Sequence, residues 1–310
     1  PKIIAVSTSP FDSFPLPQPM SPSSAARMVA NRTYSYIGTR GPVFSSGSAM
    51  ALISSAAKSL LAKMASNRFD DRFGRVVDRL GFSPLVELAF KGDWSRISES
   101  KEINPIEWDR QGIRSFATQM MEDGLYTERD LSEAIGLANE LSKIADSNAN
   151  FGLRIDMADK SFFSTEIGYM RNEVGRLLNC LLDYRVIRLL DMKLNKYDHG
   201  PLSMRRASSG EQCIVLSLLG ISANIQDGSL ILIDEPEISL HPAWQEQYMG
   251  LLDQAVSNYS GCHFIVATHS PQIVANSPVD RSYVVSLSTG HFHAVADLSE
   301  KSADYQLAEV

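Results

Sequence analysis

Four consecutive aliphatic residues, Leu230-Ile231-Leu232-Ile233, run directly into two carboxylates, Asp234 and Glu235. An uninterrupted aliphatic run of this kind predicts a central parallel strand covered on both faces, which commits the chain to an α/β sheet with helical crossovers. The strand delivers both acids to its carboxyl end. Phosphoryl transfer needs one acidic group to hold Mg²⁺ and another group to orient the attacking water. Adjacent residues at a strand end can divide those tasks, Asp234 taking the metal and Glu235 the water. A strand capped by acids at a solvated loop is the other reading of the same pair.

Three further features flank this strand. Ser208-Ser209-Gly210-Glu211-Gln212 leads into an apolar helix. Small residues let a backbone approach an oxyanion, and a helix N-terminus supplies free N–H groups and partial positive charge. An ordinary helix cap reads the same way. Thr268-His269-Ser270-Pro271 follows a second buried strand, where an imidazole can hydrogen-bond a terminal phosphate or simply serve the fold. Pro236-Glu237-Ile238-Ser239-Leu240-His241-Pro242 is a turn-rich connector between the acidic strand and the next helix. Gly210 precedes Asp234 by 24 residues and His269 follows it by 35, each gap the length of one helical crossover.

The rest of the 310 residues, 44% of the whole being hydrophobic, suffices for one elaborated domain or two intimate lobes. Short strands are expected at 3–6 and 34–37, separated by a Pro/Ser-rich loop over 10–24. Helical spacing follows at 46–64 and 70–80, then a strand at 85–90. Amphipathic helices are expected at 113–121 and 127–145, and a longer one at 165–185, together a compact helical lobe. A strand at 186–194, an apolar helix at 212–225, a helix from about Pro242, a strand at 263–267 and a closing hairpin around Thr289-Gly290 complete the chain. The expected division is 1–102 for the N-terminal part of the main domain, 103–185 for the lobe and 186–310 for the motif-bearing core. The formal net charge of −7 argues against nucleic-acid binding over the whole surface. Cys180, Cys213 and Cys262 form no C-x-x-C pair, which fits a reducing cytoplasm. No apolar run reaches membrane-spanning length.

Taken together and in order, the residues from 203 to 274 resemble the signature, Walker B, D-loop and H-loop of the ABC ATPase superfamily. Ser-Gly-Glu-Gln, Asp-Glu-Pro-Glu and Leu-His-Pro are similar to the RecF, Rad50 and OLD-type group, whose members work on DNA or with nucleases. They look most like the antiphage ATPases of the PtuA family found in Septu and retron operons. That resemblance implies an α/β ABC ATPase head, a P-loop NTPase-like mixed or parallel sheet flanked by helices, with the helical lobe inserted. It implies ATP and Mg²⁺ as cofactors and a homodimer or higher oligomer of heads enclosing the nucleotide. Asp234 would hold Mg²⁺, Glu235 would be the general base, and His269 would sense the γ-phosphate. Ser208, Ser209, Gly210, Glu211 and Gln212 would contact ATP on the opposite head, and Ser239, Leu240 and His241 would form the D-loop. The implied partners are an HNH nuclease of the PtuB kind and, in retron forms, a reverse transcriptase with its msDNA. A RecF-like repair ATPase that binds DNA directly is the alternative.

The sequence departs from the family in one respect. No G-x-x-x-x-G-K-[S/T] occurs in it, although Gly38-Thr39-Arg40-Gly41 and Ser46-Gly47-Ser48 are glycine-containing loops. The phosphate-binding loop is therefore expected upstream of residue 1, and these 310 residues alone are expected to be inactive. The segment 3–14 is similar to the Q-loop region of the group but carries no Gln. His291 and His293 share a strand face and suit either a metal or a solvated hairpin. Arg205-Arg206 suits a phosphate contact or a solvated basic pair, and Trp244 suits packing.

Overall fold

The computed structural model describes residues 2–9, 11–16, 33–40, 49–66, 77–78, 80–94, 126–159, 161–165, 167–170, 173–287 and 289–298. The aliphatic strands assemble into a parallel sheet. β1 (Ile3–Ser7) lies between β2 (Tyr34–Gly38) and β9 (Leu230–Asp234), and β10 (His263–Ala267) closes the other side of β9. The register places Ser7, Gly38, Asp234 and Ala267 side by side at the carboxyl edge. Every loop that leaves this edge therefore starts within a few ångströms of its neighbours, because adjacent strands are about 4.8 Å apart.

The face carrying Ile4, Val6, Ile37, Ile231 and Ile233 is sealed, each residue being no more than 2% exposed. It packs against α4 (Ser209–Asn224), in which only Ser209, Glu211, Gln212 and Asn224 escape full burial. A helix apolar on all sides is one surrounded by protein. Here the neighbours are the sheet, α1 (Ala49–Ala65) and α5 (Pro242–Val256). The contact is close enough that a Cβ on Gly220 would lie 2.8 Å from the Ile37 side chain. The expectation of cover on both faces of β9 does not hold among the described residues. Burial alternates along the strand, with Leu230 and Leu232 only half-buried and Ile265 beside them 52% exposed. The continuous aliphatic run gave no sign of this, since both faces of β9 are equally apolar.

A second sheet is antiparallel, in the order β6-β5-β4-β3-β7-β8. Its strands are β3 (Phe82–Gly92), β4 (Asn150–Asp156), β5 (Ser161–Ser164), β6 (Gly168–Met170), β7 (Ile187–Lys196) and β8 (Gly200–Ser203). Residues 150–170 were expected within a helical lobe and form three of these strands. The expected helix at 165–185 is reduced to α3 (Val174–Asp183). Ile167, Met170, Val174, Leu178 and Leu181 keep helical spacing across this stretch. Gly168, with φ of +83°, turns the backbone out of any helix and into β6. Among the described residues between 126 and 185, only α2 (Glu128–Ile144) and α3 supply helix, and they pack on each other. The helix expected at 113–121 lies outside the described residues, as does most of the one at 70–80. Strands from all three expected segments thus share one sheet, and α1 bridges it to the parallel sheet through α4, α3 and β7. A small antiparallel hairpin of β11 (Tyr283–Val285) and β12 (Phe292–Ala294) forms where expected.

Candidate functional site

Asp234 ends β9 and Glu235 takes the chain out of the sheet with φ of +44°. A non-glycine residue there costs about 1 kcal/mol or more and must be held by its surroundings. The hold is visible: the Glu235 N–H donates to the Ala267 carbonyl at 2.8 Å, joining the exits of β9 and β10. The same juncture brings together two residues 34 positions apart, for His269 Nε2 stands 3.8 Å from Glu235 Oε1. The imidazole is largely solvent-exposed and the carboxylate partly so, as a site open to a ligand requires. Burial raises the carboxyl of Asp234 above its ordinary value, and the nearby charges of Asp12 and Glu237 push it further in the same direction.

Glu237 has no assigned role in the sequence reading, yet it organises this corner. Its Oε2 accepts from Thr268 Oγ1 at 2.7 Å and its Oε1 from the His269 backbone N–H at 2.6 Å. Gln245, on the first turn of α5, accepts from the buried Ser270 Oγ at 2.7 Å and donates through Nε2 to the Leu240 carbonyl at 3.0 Å. Asp12 is the other residue missed. Its side chain is fully enclosed, paired with Arg40 through both oxygens, and it accepts from Tyr36 Oη and the Phe14 N–H. Burial, reinforced by the hydrogen bond to Asp12, pushes the Tyr36 phenol up to about 12. Asp12 therefore ties the loop after β1 to β2 rather than standing free for a ligand. Neither role carries a local sequence signal, since both depend on loops meeting across the sheet edge.

The start of α4 lies against the 236–241 connector at Ser239 and Leu240. Ser208 is its N-cap, and the capping box is complete: Glu211 N–H to Ser208 Oγ, with Ser208 N–H and Oγ to the Glu211 carboxylate. Burial works to raise the Glu211 carboxyl, but the Ser208 bonds and the Lys196 ammonium outweigh it and hold it below the usual value. Gln212 Nε2 donates to the Met204 and Ala207 carbonyls, so its amide is engaged within the chain. Ser208 and Ser209 are exposed, and Gly210 is buried. A Cβ on Gly210 would lie 3.1 Å from the Ser239 carbonyl and 3.8 Å from Leu240 Cα, so glycine is what lets the helix start meet this connector. Ser239 itself has φ of +69°, Leu240 is buried, and His241 caps α5 through Nδ1.

Among the other candidates, Trp244 adjoins the start of α4, its Cδ1 lying 3.8 Å from where a Cβ on Gly210 would stand. His291 and His293 have ring centroids 6.2 Å apart, and no group of metal-ligating side chains forms among the described residues. Arg205 and Arg206 are exposed in the turn before α4, and Trp244 is half-buried against the core. No described helix is long and apolar enough to cross a membrane.

A parallel sheet with helices packed on one face and paired acids at its carboxyl edge is an α/β arrangement consistent with a P-loop NTPase-like domain. Residues 126–275 match the family described as AAA domain, putative AbiEii toxin, Type IV TA system. The chain is 35% identical over 95 residues to the Retron Ec83 probable ATPase of Escherichia coli, a match covering 27% of this chain and 17% of that protein. It is 31% identical over 94 residues to Protein ea59 of Escherichia phage lambda, covering 30% of this chain and 18% of that protein. The chain thus matches less than a fifth of the length of either relative.

Proposed function

We propose that this chain supplies the acidic, signature and switch elements of an ABC-type ATP site in a defence ATPase of the PtuA kind. The observation that carries this is the convergence of Glu235 and His269 at 3.8 Å, beside Asp234, on one sheet edge. Asp234 suits Mg²⁺: it is a carboxylate held in a negative field that a hard cation relieves. When bound, Mg²⁺ supplies charge neutralisation at the nucleotide phosphates. Glu235 orients the attacking water and takes its proton, and His269 donates to the terminal phosphate. Ser209 and the Gly210 N–H, at the exposed start of α4, face ATP held by a second copy of the protein, with Ser239, Leu240 and His241 beside them. The dimer so formed gates a partner. The motif resemblance gives an HNH-type nuclease, a reverse transcriptase and its msDNA as the partners proposed, and similarity to a retron probable ATPase supports a retron setting.

The test is Glu235→Gln in the full-length protein. ATP turnover should fall roughly 10²- to 10⁴-fold, the span of general-base contributions, while labelled ATP stays bound. Unchanged turnover removes Glu235 as the base.

A further inference from the structure

Glu237 lies close enough to Asp234 that its charge helps raise that residue's carboxyl. What the charge secures is a pair of short bonds to a different loop. Charge-assisted hydrogen bonds are about twice as strong as neutral ones, and both carboxylate oxygens are engaged, one by a hydroxyl and one by the main chain of His269 itself. Ser270 N–H extends the clamp by donating to Thr268 Oγ1 at 3.0 Å, and Gln245 holds Ser270 Oγ from α5. The segment 268–270 is therefore held by Glu237 of the 236–241 connector and by Gln245 of α5, and the connector's middle, at Ser239, touches the start of α4.

We propose that Glu237 is the positioning residue of the His269 loop, clamping its backbone so that the imidazole stands over the Glu235 carboxylate and follows any displacement of the connector. This rests on the ATPase reading above but deepens it, since it states how the signature helix and the phosphate-sensing side chain are coupled within one chain. Glu237 touches no reacting atom, and its clamp acts through the His269 loop.

The experiment is a double-mutant cycle in the full-length protein using Glu237→Gln and His269→Ala. The glutamine keeps the volume but can accept at only one of the two positions. Glu237→Gln should lower kcat roughly tenfold to hundredfold, the scale of an ångström misplacement, with KM for ATP held within about twofold. Combined with His269→Ala it should add nothing to the loss caused by His269→Ala alone. Thr268→Val, which removes one arm of the clamp, should fall between wild type and Glu237→Gln. An undiminished Glu237 effect in the His269→Ala background overturns the proposal. A second readout needs no turnover: the His269 ring resonance of the nucleotide-free protein, assigned by its loss in His269→Ala, should shift in Glu237→Gln. A shifted resonance in a protein without ATP turnover sinks the ATPase reading and supports the clamp. An unshifted resonance and unchanged kcat in an active enzyme sink the clamp and leave the ATPase reading standing.

Discussion

At the scale of single residues, the carboxyl edge is a place where charges are stored rather than relaxed. Asp234 keeps its proton to higher pH in the folded chain than in the unfolded one. Its ionised form therefore opposes folding, and its own contribution grows more favourable as pH falls through the raised value. Asp234→Asn should raise the melting temperature of the nucleotide-free protein at neutral pH, while abolishing Mg²⁺-dependent turnover. A lower melting temperature would show that the charge is compensated. Asp12 is the opposite case, a buried carboxylate with a full set of partners. Arg40→Ala leaves it enclosed without its cation and should cost about 3 kcal/mol or more, read from the denaturant midpoint. A cost far below that would mean that the Tyr36 and Phe14 bonds suffice.

At the scale of elements, α4 is the central core helix, and its exposed start is where we place the signature. The capping box at Ser208 is a stability device in its own right. Ser208→Ala should cost about 1 kcal/mol by chemical denaturation. Glu211, whose carboxyl is held low, contributes stability that is present above its unfolded value and lost as pH falls through the folded one. The acid limb of the stability profile should therefore flatten in Ser208→Ala, because the Ser208 Oγ bond that helps depress Glu211 is gone while the Ser208 N–H bond remains. The capping reading of this motif and the nucleotide reading are compatible, since Ser209 and the first N–H groups of the helix lie outside the box.

At the scale of the whole molecule, the proposal is one of assembly around nucleotide. With ATP and Mg²⁺, the full-length Glu235→Gln protein should run as a dimer by light scattering, and Ser209→Arg should dissolve that dimer while nucleotide binding persists. Dimerisation indifferent to Ser209 would move the interface elsewhere. The two sheets share one apolar core through α1 and α4, so a displacement at the start of α4 has a packed route to both. Packed interiors pass on displacement because they hold few voids.

The elements that carry the candidate residues are legible in the sequence; their meeting at one sheet edge is not. The strand ending in Asp234-Glu235, the apolar helix behind Ser208, the strand before His269 and the closing hairpin follow from periodicity and turn residues, which are local properties. Their order along the chain carried the resemblance to an ATPase head. The antiparallel strands at 150–170 were hidden because helical apolar spacing continues across Gly168, whose conformation no spacing rule reads. Which face of β9 is covered, the clamp of Glu237 on His269 and the enclosure of Asp12 by Arg40 depend on contacts between segments far apart in sequence. A side chain's partner across a sheet edge is chosen by strand order and register, and those are set only when the whole core packs.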